Sequence, residues 1–128
     1  RIRYICQKNK IKKGRTGTRK LLEAYKNNYS IALMIDQRVS EGIKSELFEK
    51  PALTTTIPAQ LVKKFGCKII PVYIERYKNF YFKIKVEKPI LYNKELSIEE
   101  ITNDLNKCLE KMILQNPSQW IWSHSRWK

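Results

Sequence analysis

The feature that most constrains the fold is a run of five apolar residues, Ile31 to Ile35, that ends at Asp36. A strand formed by this run has two apolar faces, as in a parallel sheet with helices packed on both sides. Asp36, Gln37 and Arg38 then lie at the carboxyl end of the strand, which is the edge where open α/β sheets bind ligands. On the pattern alone, Asp36 is equally compatible with a simple turn cap.

Apolar residues at helical spacing predict three helices, at residues 16–28, 57–65 and 97–115. The third is the most regular and carries a stripe that indicates core packing. Its members are Ile98, Ile101, Leu105, Cys108, Leu109 and Met112. The predicted capping residues of the second and third helices are Thr56, Gly66, Ser97 and Glu100, the last two as a capping box.

Two further strands are predicted at residues 68–75 and 80–87. The second of them alternates between apolar and charged side chains, which is typical of a strand with one buried face. Residues 76–79 between them suit a turn, so the pair is predicted to form an antiparallel hairpin. The apolar side chains of the alternating strand are Phe82, Ile84 and Val86.

The elements follow in the order helix, strand, helix, strand, strand, helix, with residues 39–56 predicted to be irregular. This order predicts an α/β layer, and its three strands are fewer than the roughly four to six of a typical sheet. We therefore expect residues 1–128 to form a single partial domain, the second half of a larger mixed sheet covered by helices. Because the chain opens with Arg1 rather than Met, we expect further sequence upstream.

The net charge of +14 is concentrated near the start, since residues 1–20 hold nine basic side chains and no acidic one. A cationic surface attracts nucleic acid, anionic lipid headgroups, phosphorylated substrates or an acidic protein. A lysine-rich solvated face explains the same charge. The hydrophobic content of 42% indicates a folded chain. The basic residues are Arg1, Arg3, Lys8, Lys10, Lys12, Lys13, Arg15, Arg19 and Lys20.

The sequence contains no recognisable complete set of catalytic residues. Its three cysteines are widely spaced, which argues against a disulfide framework or a zinc site and fits a reducing compartment. The single histidine, His124, has no acidic residue after it, which favours a structural or interfacial role. A nucleophile elbow, a phosphate-binding glycine loop and a bilayer-spanning apolar run are absent. Residues 54–56, all threonine, either cap the second helix or position a phosphate at its N-terminus.

Three segments, in the same order along the chain, resemble the lauroyl/myristoyl acyltransferases of lipid A biosynthesis. Asp36-Gln37 and the following run from Leu47 to Thr56 are similar to the family's Asp-Gln or Asp-His pair and its Phe-Phe-Gly-x-Pro-Ala-x-Thr segment. The second segment, Gly66-Cys67-Lys68-Ile69-Ile70-Pro71-Val72 with Arg76, resembles a Gly-x-x-Val-Val-Pro block and its trailing Arg. The ending, from Asn116 to Lys128, matches the closing pattern Pro-x-Gln-Tyr/Trp-x-Trp-x-His-x-Arg-Trp/Phe-Lys. One departure is Glu49-Lys50, which replaces a glycine-containing pair.

The resemblance implies a glycerolphosphate-acyltransferase-like fold and transfer of a fatty acyl chain from acyl-acyl carrier protein to a hydroxyl of a Kdo-bearing lipid A precursor. It also implies action at the cytoplasmic face of the inner membrane, without a metal or redox cofactor. The family's general base is a histidine in a His-x4-Asp/Glu motif, which follows an N-terminal membrane helix. This sequence has neither feature. We therefore expect the chain to be a C-terminal part that is inactive alone.

The residues present are predicted to have supporting roles. Asp36, Gln37 and Thr54 are assigned to the active-site wall or to substrate binding. Arginine forks bind phosphate and carboxylate well, so the candidates for contacts with the anionic substrates are Arg15, Arg38 and Arg76. The C-terminal tail has the composition of a membrane-interface contact, with packing of the tail on the domain as the alternative. Its residues are Trp120, Trp122, Trp127 and Arg126.

Two other functions stay open at this stage. The basic opening segment and the aromatic residues are compatible with a small nucleic-acid-binding module, although the sequence has no nucleic-acid-binding motif. A non-catalytic, membrane-associated homologue is the other alternative. The acyltransferase interpretation predicts acyl carrier protein, the lipid A precursor and the membrane surface as partners, and no specific nucleic acid.

Overall fold

The computed structural model describes residues 11 and 15–127, in two compact units, Arg1–Leu33 and Met34–Lys128. Residues 1–10 and 12–14, which carry most of the basic opening segment, lie outside the described residues. In the first unit, helix α1 spans Arg15–Lys26, which confirms the predicted helix with an earlier end. Asn28, two residues after the end of the helix, takes a left-handed φ of 61°, a conformation that asparagine tolerates well.

The strand predicted at residues 31–35 is wrong, because these residues belong to no ladder in the described part of the chain. The boundary between the two units falls inside the run, after Leu33. The side chain of Met34 is 75% exposed, so the run is not buried on both faces. A strand needs a neighbour that takes up its backbone N–H and C=O groups, and apolar composition alone does not supply one.

The second unit begins with a β-hairpin in the stretch predicted to be irregular. Strand β1 (Ile43–Leu47) pairs antiparallel with β2 (Lys50–Thr54), with Leu47 opposite Lys50. The two turn residues, Phe48 and Glu49, have φ values of 52° and 59°. Two-residue hairpin turns need such positive φ angles, which Asn and Gly adopt most easily. Because the turn contains neither Asn nor Gly, the sequence did not predict this hairpin.

Helix α2 (Ile57–Phe65) and helix α3 (Ile98–Gln115) confirm the other two predicted helices. Gly66 closes α2 with a φ of 64°, and Ser97 and Glu100 form the predicted capping box of α3. The predicted N-cap of α2 needs correction, since Thr56 makes no side-chain cap bond. The neighbouring Thr55 hydroxyl instead accepts the N–H of Ile57 at 3.3 Å.

Helix α3 connects two buried apolar clusters. The first cluster joins it to the β1–β2 hairpin and consists of Leu47, Ala52, Leu109 and Ile113. The second joins it to α2 and consists of Ala59, Val62, Ile101 and Leu105. The predicted apolar stripe is thus confirmed as core packing for Ile98, Ile101, Leu105 and Leu109, whereas Cys108 and Met112 are half-buried and belong to neither cluster. The buried face of α3 also includes polar side chains, namely those of Thr102 and Asn106.

The predicted antiparallel hairpin is confirmed as β3 (Val72–Tyr77) and β4 (Tyr81–Val86). Its expected buried face is not buried among the described residues. Ile74 stands opposite Ile84, and these two side chains are 58% and 63% exposed. The hairpin is held near the C-terminal end of α3 by Asn116, whose Nδ2 donates to Glu75 Oε1 at 3.1 Å.

The described residues therefore form a mixed α/β fold, with three α-helices and two separate two-stranded antiparallel sheets. This confirms the fold class. None of the described helices is long and apolar enough to cross a membrane. Within residues 11 and 15–127, His, Cys, Asp and Glu side chains form no group of three or more that could hold a metal ion.

Candidate functional site

A polar cluster lies where β1, β2, α3 and the C-terminal tail meet. Its core is three side chains that are almost completely buried: Thr54 is 1% exposed, and Asn106 and Arg126 are 0% exposed. Buried polar groups are costly unless they are hydrogen-bonded, and a buried charge costs more. The arrangement is completed by Ser45 and Asn103, and we call these five residues the polar cluster.

Arg126 holds the tail to strand β2. Its Nη1 donates to the carbonyl oxygen of Leu53 at 2.7 Å, and its Nη2 donates to Thr54 Oγ1 at 2.8 Å. Its Nε lies buried without a hydrogen-bond partner in the described structure. Burial lowers the pKa of the Arg126 guanidinium, and the nearby charge of Asp36 opposes that effect. A guanidinium stays protonated in proteins, so Arg126 is a buried cation. It binds Thr54, which lies 72 residues earlier in the sequence.

Asn106 ties helix α3 to both strands of the hairpin. Its Nδ2 lies 2.8 Å from Ser45 Oγ, 2.9 Å from the Glu46 carbonyl oxygen and 3.1 Å from Thr54 Oγ1. Since the amide has only two hydrogens, these three acceptors share two donors. The Ser45 hydroxyl in turn donates to Asn103 Oδ1 at 2.6 Å. The cluster therefore fixes the register of the hairpin against α3.

Asp36 approaches the polar cluster through the loop that precedes β1. Val39 donates its N–H to the same Leu53 carbonyl oxygen that Arg126 binds, at 3.3 Å. Asp36 Oδ1 is buried and has no hydrogen-bond partner in the described structure. Gly42 ends the loop against the backbone of Thr54, where an added Cβ would lie 2.4 Å from the Thr54 oxygen. A side chain at residue 42 would therefore push the loop away from β2.

The structure thus brings Asp36, Thr54 and Arg126 together, although they belong to three separate segments of the sequence. Gln37 and Arg38 follow Asp36 and are exposed. Arg76 lies elsewhere, on β3, where its backbone N–H and carbonyl oxygen both bond to the Gln119 side chain at 2.8 Å. The side chain of Arg15 lies outside the described part of the chain.

Thr54 does not offer its hydroxyl to a phosphate in this structure. It donates to the carbonyl oxygen of Ala52 at 3.1 Å and lies within hydrogen-bond distance of the Arg126 and Asn106 donors. Its hydroxyl is therefore fully used inside the polar cluster. A role for Thr54 in substrate binding would be indirect, through the position of its backbone.

The assignment of Arg126 to a membrane interface is wrong, because the side chain is fully buried and bonded to β2. Trp120 and Trp127 pack against the first apolar cluster, and Trp127 Nε1 donates to the Leu47 carbonyl oxygen at 3.0 Å. For these two rings the structure favours the alternative that the tail packs on the domain. Trp122 remains 49% exposed, and it meets Trp120 edge-on with 4.6 Å between the ring centroids.

Sequence reasoning missed Ser45, Asn103 and Asn106. A signal for Asn106 was present, because Thr102, Asn106 and Ile113 extend the apolar stripe at helical spacing. A polar residue on the buried face of a helix needs partners, which marks it as part of a hydrogen-bonded network. No comparable signal marked Ser45, since its strand was not predicted.

Comparison with known proteins identifies the family of the chain. Residues 3–128 match the family model for bacterial lipid A biosynthesis acyltransferases. No curated protein gives a significant match to the chain.

Proposed function

Since the chain belongs to the bacterial lipid A biosynthesis acyltransferases, we propose that it takes part in moving a fatty acyl chain from acyl-acyl carrier protein to a hydroxyl of a lipid A precursor. The observation that carries this proposal is the convergence of two family-like segments, the one from Asp36 to Thr56 and the closing one from Asn116 to Lys128, on one site. Asp36 and Thr54 come from the first of these segments and Arg126 from the second. The Leu53 carbonyl oxygen accepts hydrogen bonds from both Val39, in the loop after Asp36, and Arg126.

In this proposal Asp36 and Gln37 form one wall of the active site. The Asp36 carboxylate keeps a buried oxygen without a partner, which is suited to accept a hydrogen bond from a neighbouring catalytic group. We assign the general base to a residue other than His124, whose side chain is exposed in the tail.

The proposed partners are anionic, and the chain is strongly basic, with a net charge of +14. Acyl carrier protein is acidic, and the lipid A precursor carries phosphates and Kdo carboxylates. Arg38, exposed two residues after Asp36, is the proposed contact for such a group at the site. Arg76 is exposed on a separate hairpin and is proposed to contact the carrier protein or the membrane surface. We place the reaction at the cytoplasmic face of the inner membrane.

The test is product formation by the protein as its native gene encodes it. The purified protein is incubated with a Kdo-bearing lipid A precursor and either acyl-acyl carrier protein or acyl-coenzyme A. We expect an increase in precursor mass by one acyl chain, faster with the carrier protein as donor. Arg38→Ala should raise KM for the anionic substrate, whereas Lys107→Ala, an exposed cation on α3, should not. A folded protein that gives no product above the no-enzyme control would contradict the proposal.

A further inference from the structure

The Leu53 carbonyl oxygen is hydrogen-bonded both to the C-terminal tail, through Arg126, and to the loop from Asp36 to Gly42, which we call the Asp36 loop. It accepts one hydrogen bond from Val39 in the loop, at 3.3 Å, and one from Arg126 in the tail, at 2.7 Å. A carbonyl oxygen has two lone pairs, so both bonds can form together. The other terminal nitrogen of Arg126, Nη2, donates to Thr54 Oγ1 at 2.8 Å. Arg126 therefore fixes the strand segment against which the Asp36 loop lies.

Charge couples the same two residues. Arg126 is a fully buried cation whose hydrogen-bond acceptors, a carbonyl and a hydroxyl, are neutral. A buried charge needs an opposite charge nearby, and Asp36 acts electrostatically on it. No salt bridge within 4.0 Å joins the two among the described residues. The Asp36 Oδ1 and the Arg126 Nε are each buried and unpaired.

We infer that Arg126 is a positioning residue, which holds the Asp36 carboxylate at the active-site edge through Leu53 and Thr54 and through its own positive charge. It does so without touching substrate. This inference rests on the proposed function only for its kinetic consequence, because the contacts that carry it are structural. Lysine at this position would keep the positive charge but lose the planar guanidinium that donates to Leu53 and Thr54 together, and glutamine would lose the charge.

The kinetic test uses the native full-length protein and the variants Arg126→Gln, Arg126→Lys and Asp36→Asn. We expect Arg126→Gln to lower kcat about tenfold or more per folded molecule, with little change in KM, and Arg126→Lys to recover part of that loss. The double variant Arg126→Gln/Asp36→Asn should be no slower than Asp36→Asn alone, because both changes disable the same group. Losses that multiply in the double variant, or unchanged activity per folded Arg126→Gln molecule, would overturn the inference.

A second readout needs no activity and so separates this inference from the proposed function. Hydrogen exchange at the Val39 amide should become faster in Arg126→Lys or in Thr54→Val, because the Leu53 carbonyl is then less firmly held. Exchange at the Phe48 amide, which binds Glu110 on α3, should not change. Gln119→Ala is the matched control, since it removes a tail contact to β3 and leaves both hydrogen bonds to the Leu53 carbonyl oxygen intact. Unchanged exchange at Val39 in both variants would contradict the positioning role, whether or not the protein transfers acyl groups.

Discussion

Replacement of Asn106 with Ala should destabilise the fold more than any exposed substitution on the same helix. The Asn106 amide supplies two hydrogens to the Ser45, Glu46 and Thr54 oxygens, and it is 0% exposed. Each lost hydrogen bond costs about 1 kcal/mol, and an oxygen left buried without a donor adds about 1–3 kcal/mol. The Glu46 carbonyl is the acceptor most affected, because Thr54 keeps its bond from Arg126.

An opposing effect reduces the loss. Asn106 Oδ1 is itself buried without a partner, so its removal relieves part of the penalty. We therefore expect Asn106→Ala to lower the free energy of unfolding by about 2–3 kcal/mol. At roughly 2–5 °C per kcal/mol for a domain of more than 100 residues, Tm should fall by about 4–15 °C.

The assay is urea unfolding of the native full-length protein, followed by tryptophan fluorescence and circular dichroism. Asn103→Ala is the graded control, since its Oδ1 accepts one bond from Ser45, and it should cost about 1 kcal/mol. Lys107→Ala, exposed on the same helix, should stay within about 0.5 kcal/mol of the wild type. If Asn106→Ala unfolds at the same urea concentration as Lys107→Ala, the polar cluster does not stabilise the fold as argued here.

Three further predictions concern function. Asp36→Ala should lower kcat/KM per folded molecule at least tenfold, about 1.4 kcal/mol, in addition to the stability lost when Arg126 is left without its opposite charge; a fall in Tm with activity retained per folded molecule would make Asp36 a purely structural residue. The 128-residue chain alone should form no acylated product, because it lacks a histidine–carboxylate pair whose proton transfer is worth about 10²–10⁴-fold; turnover that His124→Ala abolishes would refute this. Binding to anionic vesicles should partly survive physiological salt and weaken in Trp122→Ala, whereas DNA binding should fall steeply with salt; tight, sequence-selective DNA binding without vesicle binding would favour a nucleic-acid module.

Helices α2 and α3 were predictable because local signals determine them. The bounds of α2 follow from Pro58 in its first turn and Gly66 after its last. The start of α3 follows from the reciprocal bonds of Ser97 and Glu100, only three residues apart. Such interactions form within one turn, so the sequence displays them directly.

The β1–β2 hairpin was not predictable, because a distant residue helps to define it. Its turn places Phe48 and Glu49 at positive φ without Asn or Gly, and the Phe48 N–H donates to the Glu110 carboxylate, 62 residues away on α3. Arg126 was misassigned for the same reason. Its neighbours in sequence are aromatic and basic, which indicates an interface, but its partners on β2 lie more than 70 residues away.

The candidate site was predicted in part. Asp36 and Thr54 were identified from their places next to an apolar run and a helix N-terminus. The strand expected before Asp36 is absent from the described ladders, so Asp36 reaches the site through a loop that Val39 and Gly42 hold against β2. The close approach of Gly42 to Thr54 is a tertiary contact, and only the structure could reveal it.

The most direct test of the central claim is a map of where the lipid A precursor protects the native full-length protein from hydrogen exchange. The precursor is supplied in detergent micelles, and empty micelles serve as the control. If Asp36, Thr54 and Arg126 mark the active-site edge, protection should centre on the peptides that contain residues 36–42 and 53–56. Protection confined to the β3–β4 hairpin, with those two peptides unchanged, would contradict the assignment of the site.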